Sequence, residues 1–137
     1  MPAKTFLDTN ILTYSIDRAD PTKQETAISL IAAHAKQRSG IISTQVLQEF
    51  YSAATRKLGV PPTLAKQYLT DFRIFDIVQI TPDIIESGID SSILHQLSFW
   101  DGLILAAAST ANADILLTED LNHDQTIQGI KIQNPFL

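Results

Sequence analysis

Four acidic residues stand where solubility alone does not account for them: Asp8, Glu49, Asp101 and Asp120. Asp8 ends the apolar run Phe6-Leu7, and the small polar pair Thr9-Asn10 separates it from Ile11-Leu12. A carboxylate there lies at the end of a strand and the entry to a helix, the edge at which open α/β sheets bind ligands. Asp120 follows a second apolar run, Ile115-Leu116-Leu117. Asp101 opens a helix that continues through Leu103-Ile104-Leu105-Ala106-Ala107-Ala108. Carboxylates gathered at one sheet edge repel one another and raise each other's pKa, and a cation relieves that repulsion. Oxygen donors with no His or Cys nearby in sequence favour Mg²⁺ or Mn²⁺ over zinc. Metal-assisted cleavage of a phosphodiester is the chemistry that fits such a cluster.

Each acid also has a purely structural alternative. Asp8 can cap the helix that starts beside it. Ser98-Phe99-Trp100-Asp101 has the spacing of a capping box. Asp120 can cap a turn. Glu49 is harder to dismiss, because on a helix it borders the apolar face made by Val46, Leu47, Phe50 and Ala53. A carboxylate beside a buried face needs a partner, a metal or access to water.

The elements that must position these residues can be read along the chain. Lys4 to Leu7 predicts a strand, and Thr9 to Ile16 a short helix capped by Asp8 or Thr9. Helical spacing over Thr22–Arg38 follows Pro21 and ends at Ser39-Gly40. Ile41–Ser43 predicts a second strand and Thr44 to Lys57 a helix. Pro61-Pro62 breaks the chain, and Thr63 to Phe72 predicts a helix capped by Thr63. Phe75–Ile80 predicts a third strand, Pro82–Leu97 and Ser98–Ala111 two more helices, and Ile115–Thr118 and Ile130–Ile132 the last strands. Strands alternating with helices imply an α/β fold with a short, mainly parallel sheet covered on both faces.

With 137 residues, 45% of them hydrophobic and 18% charged, the chain suits one domain over residues 1–137. The lack of cysteine excludes disulfides and thiolate metal sites. Neither a signal peptide nor an apolar run of membrane-spanning length is visible, so a cytoplasmic protein without a membrane association is expected. The net charge of −5 argues against nucleic-acid binding by bulk electrostatics, but the charge is uneven. Residues 1–73 carry nine of the ten Lys and Arg against six of the fifteen acids, whereas residues 74–137 carry only Lys131 against nine. One half could therefore meet phosphates while the other supplies acids, or the surface is simply unevenly charged. Arg18, Lys23, Arg56 and Lys57 are the candidate phosphate contacts. Arg56 and Lys57 also suit the C-terminal end of a helix.

Phe6-Leu7-Asp8-Thr9-Asn10, Leu47-Gln48-Glu49-Phe50, Trp100-Asp101-Gly102-Leu103-Ile104-Leu105-Ala106-Ala107-Ala108 and Leu117-Thr118-Glu119-Asp120 occur in that order. Together they make the chain resemble PIN-domain proteins, specifically the VapC-type ribonuclease toxins of toxin–antitoxin pairs. The resemblance spans nearly the whole chain and implies a PIN-like three-layer fold. It also implies an endoribonuclease that uses Mg²⁺ or Mn²⁺, with Asp8, Glu49 and Asp101 as the acidic core. Asn10 would support Asp8 and Thr118 would line the site. For the fourth acid, Glu119, Asp120 and Asp124 compete, and strand alternation from Thr118 favours Asp120. An RNA substrate, a cognate antitoxin and a homodimer are the implied partners. Tyr51 and Phe72 are the aromatic candidates for a partner surface, although such residues also serve in cores. His123 could reach a phosphate, while His34 and His95 fall within helices.

Other readings remain. An aspartate-nucleophile phosphatase needs a second acid two residues after the first, where Asn10 stands. A receiver-like domain needs a lysine at a late strand end, and only Lys131 is available there. A PIN-fold module that holds RNA or protein without cutting is the alternative of another class; the intact carboxylates count against it.

Overall fold

The computed structural model describes residues 3–137. A six-stranded sheet runs in the order β3-β2-β1-β4-β6-β5. Its strands are β1 (Thr5–Leu7), β2 (Gly40–Ser43), β3 (Asp76–Val78), β4 (Ile115–Leu117), β5 (Thr126–Ile127) and β6 (Ile130–Gln133). All pairings are parallel except that of β5 with β6. Six helices connect them: α1 (Thr9–Tyr14), α2 (Pro21–Gln37), α3 (Thr44–Arg56), α4 (Pro62–Asp71), α5 (Pro82–His95) and α6 (Phe99–Thr110). This is the expected α/β architecture.

The chain builds outward from β1 to β2 and β3, then returns to place β4 on the other side of β1. The sheet order therefore reverses between β1 and β4. A crevice opens at such a reversal, outside the C-terminal ends of the strands. The register pairs Leu7 with Leu117, so Asp8 and Thr118 leave the sheet side by side.

Phe6, Leu7, Ile42 and Leu116 fill the centre of the sheet, and Ile11, Leu12, Val46, Phe50 and Leu105 cover it from the helices. Full burial of each such side chain contributes about 1.5–3 kcal/mol. Phe50 meets Phe72 edge-on, with centroids 4.9 Å apart. Gly102 through Ala108 of α6 are all buried, which explains a helix apolar around nearly its whole circumference. α6 crosses α5 closely at Gly88 and Gly102. A Cβ on Gly102 would lie 2.5 Å from the Gly88 carbonyl oxygen and 2.9 Å from the Ser92 backbone nitrogen.

Several sequence expectations need correction. α4 begins at Pro62, after the extended Pro61, with no side-chain cap, so Thr63 lies inside its first turn rather than capping it. β3 covers only Asp76–Val78, because Phe72–Ile74 forms a 3₁₀ turn that the buried Phe75 closes, so the strand starts one residue later. β5 (Thr126–Ile127) is a further strand, beyond those expected from the sequence. Gln128 and Gly129 both take positive φ, 54° and 78°, which closes a two-residue hairpin with the right-handed strand twist. Phe72 is buried, whereas Tyr51 is exposed as a partner surface would require.

Candidate active site

Asp8 sits at the floor of the crevice with 5% of its surface exposed. As the N-cap of α1 it accepts a hydrogen bond from the Thr9 backbone N–H at 2.7 Å. Its other oxygen accepts from the Thr118 hydroxyl at 2.7 Å. The capping role and the site role thus belong to one side chain. Burial pushes its pKa up to about 7, against the two hydrogen bonds, and the charges of Asp120 and Glu49 raise it further.

The other acids come to the same place from three different elements. α3 starts from the end of β2, where Ser43 caps it, and carries Glu49 into the crevice. Glu49 accepts from the Thr9 hydroxyl at 2.7 Å and from Gln45 Nε2 at 3.4 Å. Gln45 Nε2 also reaches the Trp100 carbonyl at 3.3 Å, so one amide ties α3 to the start of α6. Ser98 caps α6 by accepting from the Asp101 backbone N–H at 3.1 Å, in agreement with the capping-box spacing. Asp120 follows β4, accepts from Asn10 Nδ2 at 3.2 Å and donates its backbone N–H to Thr118 at 3.0 Å. Loss of water raises the pKa of both Asp101 and Asp120; Glu49 adds to the first, Asp101 and Glu119 to the second.

Asp8, Asn10, Gln45, Glu49, Asp101 and Asp120 line one cleft of about 580 Å³. Thr118 stands behind Asp8, fully buried. Arg56 and Lys57 also line this cleft, at the end of α3, and so does Trp100. The structure does not bring Arg18 or Lys23 there. Arg18 is exposed on the loop before α2. Lys23 is bound to Glu119 at 3.0 Å and lies 4.7 Å from the centre of the Tyr14 ring. Tyr14 also donates to Glu119 at 2.6 Å, which turns Glu119 away from the cleft. Asp124 faces His123 at 3.3 Å and Lys131 at 4.0 Å. Of the three competing acids, Asp120 alone lines the crevice.

Thr9 and Gln45 join the site as residues that position Glu49, beyond those expected from the sequence. Gln45 carries a detectable signal, one helical turn before Glu49. Thr9 carries none, because its partner is forty positions away.

Among the described residues, no three Asp, Glu, His or Cys side chains are drawn together tightly enough to hold an ion unaided. The donor set still fits a partly hydrated hard cation. Mg²⁺ keeps several waters and takes one or two carboxylates together with substrate phosphate oxygens. Two buried acceptor oxygens in the same cleft, Asn10 Oδ1 and Gln45 Oε1, have no hydrogen-bond partner. Acids with raised pKa and unpaired oxygens form a site that a cation would complete.

A pH dependence follows for the protein in chelator. The folded state holds a proton on Asp8 more tightly than the unfolded chain does. That stabilisation is complete below about pH 4, the ordinary carboxylate range, and is lost as pH rises through about 7. The metal-free melting temperature should therefore fall between pH 5 and pH 8. Thermal melts across that range check it, and Asp8→Asn should flatten the slope.

The PIN domain family profile matches residues 5–127. This chain belongs to the PIN-domain family. Among solved structures, this PIN domain is similar in fold to VapC20 of Mycobacterium tuberculosis, a sarcin-ricin loop cleaving toxin. The TM-score is 0.67 at 19% identity, over 82% of this chain and 86% of that one. A toxin–antitoxin complex from Klebsiella pneumoniae matches with TM-score 0.67 at 22% identity, over 96% and 97%. VapBC2 of Rickettsia felis, bound to a promoter DNA fragment, matches with TM-score 0.67 at 20% identity, over 95% and 97%. No curated protein matches this PIN domain in sequence. At these identities the solved structures establish the shared fold.

Proposed function

We propose that this PIN domain is a divalent-metal-dependent endoribonuclease and the toxin of a toxin–antitoxin pair. The observation that carries the reading is the meeting of Asp8, Glu49, Asp101 and Asp120 in one cleft at the sheet reversal. Family membership and the toxins among the structural neighbours support it. Asp8, Asp101 and Asp120 would hold one or two Mg²⁺ or Mn²⁺ ions, with Glu49 as a further ligand or as the base that orients water. Such ions, when bound, lower the pKa of water and stabilise the leaving oxygen of a phosphodiester.

The protein's own groups do the rest. Thr118 and the Thr9 N–H fix both oxygens of Asp8, so the carboxylate needs no reorganisation. Thr9 and Gln45 aim Glu49, and Asn10 restrains Asp120. Arg56 and Lys57, exposed and without an ion-pair partner among the described residues, offer charge to the RNA backbone. A cognate antitoxin and a homodimer are part of the proposal, on the strength of the family resemblance and, for the antitoxin, of the neighbouring toxin–antitoxin complexes. Among the described residues no helix is long and apolar enough to cross a membrane, and the proposed setting is the cytoplasm.

A metal-free binding module is distinguished by calorimetry or thermal melts. Mn²⁺ at about a hundred times its Kd should stabilise the native state by roughly 2.7 kcal/mol. Loss of most of that shift in Asp101→Asn supports the metal reading. No shift in the unaltered protein contradicts it and favours the module.

A further inference from the structure

The cleft contains an aromatic ring that the acidic chemistry does not use. Trp100, the only tryptophan of the chain, leaves 59% of its surface exposed at the edge of the carboxylate site. Phe99 packs against it edge-on, with centroids 4.9 Å apart and planes at 66°. Its carbonyl is held by Gln45, the residue that also aims Glu49. What sets this ring apart from a singly exposed apolar side chain is its place: it lines the same cleft as the four carboxylates.

The geometry points to Trp100 as a stacking platform for an unpaired nucleobase of single-stranded RNA, next to the phosphodiester that enters the acidic cleft. The inference rests on the nuclease reading and adds to it a residue that holds a base of the substrate. The charge distribution supports it. The floor of the cleft is acidic and the chain carries a net −5, so long-range attraction cannot supply the affinity for a polyanion. Arg56 and Lys57 offer only two cationic contacts at that wall. Stacking of a base on an aromatic face is independent of that charge and tolerates any sequence. A duplex would present its bases already stacked, so the platform selects unpaired segments.

The single indole reports on itself. The protein is titrated in Ca²⁺ with a single-stranded oligoadenylate, and separately with an abasic phosphoribose chain of equal length, while tryptophan fluorescence is followed. Cleavage of a labelled single-stranded RNA in Mn²⁺ is measured with the same preparation. Oligoadenylate should quench the fluorescence and the abasic chain should not. Trp100→Ala should weaken oligoadenylate binding about tenfold, whereas Trp100→Phe, which keeps a stacking face, should stay within about threefold. The cleavage defect of Trp100→Ala should fall on KM far more than on kcat. Intact cleavage with unmoved fluorescence and an unchanged KM in Trp100→Ala would overturn the inference. Absence of both RNA cleavage and RNA binding in the unaltered protein would overturn the nuclease reading, and this inference with it.

Discussion

Asp8→Asn is expected to lower metal-dependent RNA cleavage by about 10³-fold or more, yet to leave the metal-free protein at least as stable. The activity loss follows from the several kcal/mol of charge stabilisation that a metal site supplies to phosphodiester cleavage. Asp8 is the most buried of the four acids, so its charge is the one least replaceable by water. The stability result follows from the same burial. An Asn carbonyl still accepts from the Thr9 N–H, and the Thr118 hydroxyl can turn to accept from the new amide. The substitution removes a desolvated charge and its repulsion with Asp120 and Glu49. Melts in chelator beside cleavage rates check both halves. A clearly less stable variant would mean that the hydrogen bonds made by the carboxylate outweigh its burial and its repulsion with Asp120 and Glu49, since Asn serves as an N-cap as well as Asp does.

Gly102→Ala should have the largest effect on stability of any single methyl addition near the site. The new Cβ would lie 2.5 Å from the Gly88 carbonyl oxygen, and Ser92 contributes two more atoms at 2.9 Å. Two of these three atoms are backbone, so no rotamer change relieves the contact, and α5 and α6 must separate. Forced overpacking of this kind costs about 1–3 kcal/mol, occasionally more. Against a typical total of about 5–15 kcal/mol, that lowers the melting temperature by roughly ten degrees. Activity should fall as well, because Asp101 precedes Gly102 at the start of the helix that would move. Urea unfolding and thermal melts measure the loss. Unchanged stability would show that the two helices are not held at this close crossing.

Much of this architecture was legible in the sequence because its signals are local. Ser98 and Asp101 announce the start of α6, and the β1–α1 boundary is visible at Asp8 where the apolar run stops. The parallel sheet followed from strands separated by helices. What stayed hidden depends on contacts between distant segments. Nothing local says that Glu119 turns to Lys23 and Tyr14 while its neighbour Asp120 turns to Asn10. Nor does the spacing show that Arg56 and Lys57 end on the cleft wall while Lys23 is committed elsewhere. The brief β5 escaped because two residues are too few for a period, and Gln128-Gly129 is a less distinctive turn pair than Asn-Gly. The cap at Thr63 failed because Pro62, with its fixed φ, had already started the helix.

Cleavage of labelled single-stranded RNA by the purified protein, with Mg²⁺ or Mn²⁺ and with chelator, decides whether the four carboxylates form a metal-dependent nuclease site. Cutting should require the metal and disappear in both Asp8→Asn and Asp101→Asn. Cutting that persists in chelator, or in those two variants, would contradict such a site, because the four carboxylates would then not be the machinery.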